Sequence, residues 1–413
     1  MQISPVVSLM RLLCLGLLLT AVATVSGVSP DVCSVCHCTP LTINCSSQGL
    51  LEIPFFGNET GIQRLDLSGN NIRNVPSSSL RGIAGTLQLI SLANNQITEI
   101  EDGTFADMPF LQAVVLKQNR LSSLPENVFG HRVIATLDLS YNNFGAVPSA
   151  SLRNLAGVQS LFLNNNPLQS LSDTTFVNVS GIQELDLSYC NLSNENFNPK
   201  ALDKKIFGFL QKLTLDGNYF TVLNAEFFKA FVPSLVTLSL QYCGIKTLKH
   251  GSFDVFNHLQ TLYLDYNYIE VLEKNIFYGI VLTTLSIQYC RITTIHRGAF
   301  NKSSIETLKL NYNYLSRIRR VDFDGLYDMK NLELSHNKIS RIIGKPFLRQ
   351  HNILLDHNEL VDASFGDPNV PNSVEPLADL SHLEVIDISH NQLTRLPNLH
   401  ASETSQFEKP NRP

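Results

Sequence analysis

Residues 259–269 read LQTLYLDYNYI, the pattern L-x-x-L-x-L-x-x-N-x-L. Residues 235–245 and 282–292 fall in the same register with Cys in place of Asn. Ten residues past the Asn or Cys of each segment stands a phenylalanine: Phe253, Phe277 and Phe300. A period near twenty-four residues with this pattern marks a chain of stacked units. With the Asn as marker the unit recurs fourteen times, at Asn70, Asn95, Asn119, Asn142, Asn166, Cys190, Asn218, Cys243, Asn267, Cys290, Asn313, Asn337, Asn358 and Asn391.

Each unit is expected to supply one short strand, with residues such as Leu262 and Leu264 pointing inward, and a return segment whose phenylalanine packs opposite. No unit can bury that apolar set alone, so neighbours stack and the core runs the length of the molecule. The marker side chain must satisfy buried backbone groups where the chain leaves the strand, and Asn offers both a donor and an acceptor. Cys, its substitute at three markers, is small, readily buried and carries a weak S–H donor. Fourteen parallel strands about 4.8 Å apart make a concave sheet on the order of 65 Å along its arc.

A solenoid grows without splitting into domains, so the 413 residues are read as one long unit. With 31 basic and 36 acidic residues, a formal charge of −5 and no basic run of five or more, nucleic acid is not an expected partner. Residues 1–27 have the form of a secretory signal peptide: Arg11, an apolar run over 12–25, then the small residues Ser26 and Gly27. The run is shorter than the ~20 residues needed to cross a bilayer. Beyond it no segment reaches eighteen apolar residues and residues 399–413 are polar, so neither a transmembrane segment nor a lipid-anchor signal is expected. Secretion makes Cys33, Cys36, Cys38 and Cys45 candidates for disulfides, whereas Cys190, Cys243 and Cys290, a repeat or more apart, are expected to stay reduced and buried.

The cysteine cluster followed by LLEIP at 50–54 resembles the N-terminal cysteine-rich flank of extracellular animal leucine-rich repeat proteins. The repeats from Ile62 onward resemble the typical class of that family, as in Toll-type receptor ectodomains, slit and chaoptin. The resemblance spans roughly residues 33–398. It implies an α/β-type solenoid: a leucine-rich repeat horseshoe with a concave parallel β-sheet and an irregular or short-helical convex side. Residues 28–56 would form the cap, 57–398 the solenoid of about 14 repeats and 399–413 a polar tail. It also implies the pairing Cys33 to Cys38 and Cys36 to Cys45, where the residues alone allow three connectivities. A zinc site of these cysteines with His37 is the rival, disfavoured because thiols leaving by the secretory route are oxidised. The family's usual C-terminal cysteine-rich cap is missing after Pro397, which leaves either a polar cap or a form truncated before a longer C-terminal region.

Two intervals are long: 28 residues between Cys190 and Asn218, with a bulge expected at 193–199, and 33 between Asn358 and Asn391, with a loop expected over 367–376. Glycosylation is expected at Asn58, Asn178, Asn191 and Asn301, with Asn44 doubtful beside Cys45. Asn178 and Asn301 fall on the return side, which would leave the strand face clear. No G-x-S-x-G, P-loop, H-E-x-x-H or dinucleotide turn is present. Neither catalysis nor a cofactor or metal is expected; Asp265 and His336 are read as consensus positions.

A recognition surface remains. The residue before each marker runs Gly69, Asn94, Gln118, Tyr141, Asn165, Tyr189, Gly217, Tyr242, Tyr266, Tyr289, Tyr312, His336, His357 and His390. Four consecutive tyrosines followed by three histidines would form an amphipathic stripe near the strand ends. Tyr242, Tyr266, Tyr289 and Tyr312, widened by Tyr263, Tyr268 and Tyr314, are the expected partner-binding residues on the concave side. The expected function is a secreted protein that binds an extracellular protein or a surface glycan in adhesion, development or innate immunity. The alternatives are the ectodomain of a membrane-anchored receptor and a non-catalytic or inhibitory subunit of an enzyme complex.

Overall fold

The computed structural model describes residues 32–394 apart from 58–60, 154, 156, 178, 180, 204, 224, 229–233, 348, 366–375 and 378–379, together with residues 406–407. The expected signal peptide, Asn58, Asn178 and most of the expected loop over 367–376 lie outside the described residues.

Every one of the fourteen marker residues follows a strand, and these strands pair in parallel and in a single register from Arg64–Asp66 to Val385–Asp387. In the centre, Leu213, Leu238, Leu262, Leu285 and Leu308 stand opposite one another across the pairings. All five are fully buried, as are Leu264 and its equivalents two residues on. The alternation of inward Leu with outward polar residues leaves one sheet face solvated, as a single-layer concave sheet requires.

The chain returns through phenylalanines that stack on one another: Phe253 on Phe277 with ring centroids 5.7 Å apart, Phe277 on Phe300 at 5.6 Å, and Phe105 on Phe129 at 5.8 Å. This return layer is mostly turns, with short helices at Ser149–Leu152 and Ala225–Phe228 and two-residue parallel pairs such as Val271–Leu272 with Thr294–Ile295. The result is a leucine-rich repeat horseshoe.

At the N-terminus His37–Cys38 pairs antiparallel with Thr42–Asn44, which joins the sheet beside Arg64–Asp66. Disulfides Cys33–Cys38 and Cys36–Cys45 lock this cap, the pairing the resemblance implied. With those four sulfurs bonded to each other, none is left as a thiolate for zinc. Cys45, Ile43 and Phe56 cover the end of the core that a repeat would otherwise leave open.

The bulge over 193–199 stays at the surface except for Phe197, which is buried. Asn196 accepts from the Ser193 N–H, Asn198 caps the turn Pro199–Leu202, and Phe197 packs against Phe220 at 5.6 Å. At the far end Gln406–Phe407 adds in parallel to Val385–Ile386, so the stretch expected as a polar tail contributes a strand.

Candidate recognition surface

The geometry of the surface begins at the markers. Asn267 donates from Nδ2 to the carbonyls of Leu240 and Leu264, both at 2.8 Å, and accepts at Oδ1 from the N–H groups of Cys243 and Ile245 at 3.0 Å. One side chain thus bridges two repeats, and among the described residues no buried side-chain polar atom lacks a partner. At the cysteine markers the S–H donates to the preceding repeat: Cys190 to Leu163 O at 3.3 Å, Cys243 to Leu215 O at 3.3 Å and Cys290 to Leu264 O at 3.4 Å. All three are free and buried, and burial pushes their thiols up to about 12.

To swing the marker inward, the residue before it must take a left-handed backbone conformation. All fourteen positions do: φ is 50–59° at the twelve non-glycine residues, 71° at Gly69 and 67° at Gly217. An L-residue there costs on the order of 1 kcal/mol or more. The same turn points its side chain outward beyond the strand end. The tyrosine column therefore stands just past the strand ends, where the stripe was expected, at the edge of the concave strand face. It forms a rim beside that face.

Along this rim the rings stack without a break. Centroid separations are 4.2 Å from Tyr242 to Tyr266, 4.4 Å to Tyr289, 4.1 Å to Tyr312, 4.2 Å to His336, 4.1 Å to His357 and 4.1 Å to His390. Interplanar angles stay between 5 and 18°. The strand spacing of about 4.8 Å sets this repeat and a slight tilt closes it to ring contact. The four tyrosines remain 38–48% exposed at their edges. Burial and then a hydrogen bond with Tyr242 raise the Tyr266 phenol; a hydrogen bond with Tyr289 and then burial raise that of Tyr312. Tyr189 is cut off from the stack by Gly217, whose absent side chain leaves room for its ring.

The other expected binding residues divide. Tyr263 sits on the strand Thr261–Tyr263, half-buried on the concave face. Tyr268 and Tyr314 lie two residues beyond the stack, exposed, under the Arg291 guanidinium at 4.6 Å and the Lys338 ammonium at 5.0 Å.

Sequence reasoning missed a polar network on the concave face, two residues before the markers. Asp216 accepts from Ser239 Oγ at 2.7 Å and the Gln241 N–H at 2.8 Å, and Asp265 from Ser286 Oγ at 2.7 Å and the Gln288 N–H at 2.6 Å. Asn311 continues it, donating to Gln288 Oε1 at 2.9 Å and Glu333 Oε2 at 2.8 Å. Burial raises the carboxyls of Asp186, Asp216 and Asp265. Asp265 is tied into the sheet. The signal was a recurring polar residue at a fixed place in the repeat, but nothing in it says which partner each finds.

At the histidine end, Asp356 accepts from Ser335 Oγ and from His357 Nδ1, the latter at 2.9 Å. Burial alone would raise this carboxyl, but those two hydrogen bonds hold it below its ordinary value. Burial, then the neighbouring charge of His357, lowers His336.

Of the sequons described, Asn301 lies in the return layer, donating to Asn275 Oδ1 at 2.7 Å. Asn191 is exposed and stands two residues beyond Tyr189, at the detached end of the rim.

Profiles of the leucine rich repeat match residues 85–133, 132–192, 209–269, 233–281 and 280–339, together more than half of the chain, and 61–83. Mouse podocan-like protein 1 is 27% identical over 347 residues, which are 83% of this chain and 54% of that protein. Chaoptin of Drosophila melanogaster is 28% identical over 239 residues, 51% of this chain and 18% of chaoptin. The chain thus spans about half the length of the first and less of the second. Among solved structures, a chain of the Drosophila Toll–Spatzle complex superposes with a TM-score of 0.61 at 21% identity, over 88% of this chain and 52% of that one, a likeness of fold. No helix among the described residues is long and apolar enough to cross a membrane.

Proposed function

This chain belongs to the leucine-rich repeat family, and on that premise we propose that it is a secreted, non-catalytic protein that binds another extracellular protein along the tyrosine rim and the adjoining concave strands. The observation that carries the reading is the unbroken exposed stack from Tyr242 to Tyr312. Stacked rings have lost their rotamer freedom before any partner arrives, so a partner gains aromatic contact at little entropic cost. Each phenol edge adds a donor and acceptor, the combination that enriches Tyr at binding hot spots. Tyr263 extends the surface onto the strands, and Tyr268 and Tyr314 extend it past the rim. Glycosylation at Asn301 would leave this side clear.

The test uses the chain recovered from conditioned medium as bait, with mass spectrometry of captured extracellular proteins and then binding constants on one purified partner. Tyr266→Ala and Tyr289→Ala should each weaken binding by about 2 kcal/mol, roughly thirtyfold. Arg64→Ala, on the strand Arg64–Asp66, and Lys117→Ala, two residues past the strand Ala113–Val115, should not. Folded tyrosine variants that bind like wild type would remove the rim from the interface.

A further inference from the structure

The ring stack ends in chemistry unlike its tyrosine half. His336, His357 and His390 come from repeats whose markers are 21 and 33 residues apart, and the sheet register brings each ring to 4.1 Å from the next. Asp356 directly precedes His357 in the chain and accepts from Ser335 of the preceding repeat, and a ring nitrogen of His336, a ring nitrogen of His357 and an Asp356 oxygen all lie within 4.8 Å of one another. We propose that His336, Asp356 and His357 form a surface site for a divalent transition-metal ion of the zinc class, with His390 as the neighbouring fourth group.

Four features argue for a ligand set over a filler column. The donors are two imidazoles and a carboxylate, which suits zinc, copper or nickel and not calcium or magnesium. Asp356 Oδ2 and His357 Nδ1 already meet at 2.9 Å across a shared proton, which a metal ion would displace to take both atoms as ligands. The Ser335 hydroxyl orients the same carboxylate from the other side. In the salt-bridge pattern of the described residues Asp356 meets no Lys or Arg, only His357, whereas Glu333 one repeat back is neutralised by Lys309 at 2.9 Å.

Tetrahedral ligands about 2.0 Å from an ion stand roughly 3.3 Å apart. Asp356 Oδ2 and His357 Nδ1, at 2.9 Å, are already closer than that, so the His336 nitrogen, within 4.8 Å of both, is the group that moves in, and parallel rings must fan apart to aim both lone pairs at one point. His357 is exposed on the rim and can turn. Metal binding is therefore expected to unstack His336 from His357 while leaving the tyrosines in contact. The site does not depend on the proposed protein partner.

The experiment is zinc titration of the untagged full-length secreted protein by calorimetry, followed by cobalt substitution read in the visible spectrum. One equivalent of zinc at micromolar affinity is expected, with cobalt bands of four- or five-coordinate intensity. His357→Gln and His336→Gln should each weaken binding at least tenfold, and Asp356→Asn by about 10–100-fold. His296→Gln, at the His296–Glu273 pair on the return side, should leave it unchanged. Circular dichroism and melting of each variant show whether it is folded; the exposed His357→Gln serves if His336→Gln is not. No zinc binding below about 100 μM by the folded protein, or binding that persists in folded His357→Gln, overturns the proposal.

Discussion

The residue before each marker carries two opposed demands. Its backbone is left-handed, which disfavours any side chain larger than glycine, yet along seven successive repeats the position holds an aromatic ring. Contact with rings on both sides offsets the strain, since an aromatic pair contributes about 0.5–1.5 kcal/mol beyond burial. Tyr289, flanked at 4.4 and 4.1 Å, has two such contacts. Tyr289→Ala is therefore expected to lower stability by about 1–3 kcal/mol, more than the ~0.5 kcal/mol usual for a surface truncation. Tyr289→Phe, which keeps the ring, should change it little. Urea unfolding of both variants checks this; equal stability of the Ala and Phe forms would mean that the stack contributes nothing to folding. The pair also separates roles in binding, because Phe keeps the stack and removes only the hydroxyl.

Among the elements, the marker ladder ties strand to strand. At Asn positions it is neutral, but at Cys190, Cys243 and Cys290 it contains an ionisable group held protonated, with burial raising each thiol from about 9 to about 12. The folded state keeps a proton that the unfolded chain releases above pH 9. Stability from this source is complete below pH 9 and is lost as pH rises toward 12, by about 1.4 kcal/mol per thiol per unit. Cys243→Ser cannot ionise there, so its stability should fall less than that of wild type between pH 8 and 10 in parallel urea titrations. Iodoacetamide without reductant should label the three cysteines in denaturant and none of them in the native protein. Labelling of a native ladder cysteine would mean that the ladder opens locally.

For the whole molecule the decisive feature is that a stack has ends. Cap cysteines close one of them, and Ile43 and Cys45 of the cap are buried against the first repeats. Cys36→Ser, which removes the Cys36–Cys45 bridge, should cost roughly 2–5 kcal/mol by analogy with small secreted domains. The loss should begin locally, because each repeat contacts only its neighbours. Hydrogen exchange should therefore quicken first in Thr42–Asn44 and Arg64–Asp66, with the strands around Thr261–Tyr263 protected as in wild type. Uniform acceleration along the chain would show that the solenoid unfolds as one unit.

Periodicity and residue type sufficed for the repeat register, the buried leucines, the phenylalanine spine and the free state of the ladder cysteines, because each rests on a short-range rule repeated many times. The marker's hydrogen-bonding role was legible for the same reason, since a buried turn needs a donor and an acceptor wherever it occurs. That the tyrosines form a stripe near the strand ends was legible as well; the orientation in which their rings stack was not. It depends on a left-handed φ one residue before the marker, and that conformation exists only once the marker has found its partners in the preceding repeat. Asp356 escaped notice likewise: beside its chain neighbour His357, its partner Ser335 comes from the preceding repeat. Which polar groups face each other across strands is settled only when the repeats pack.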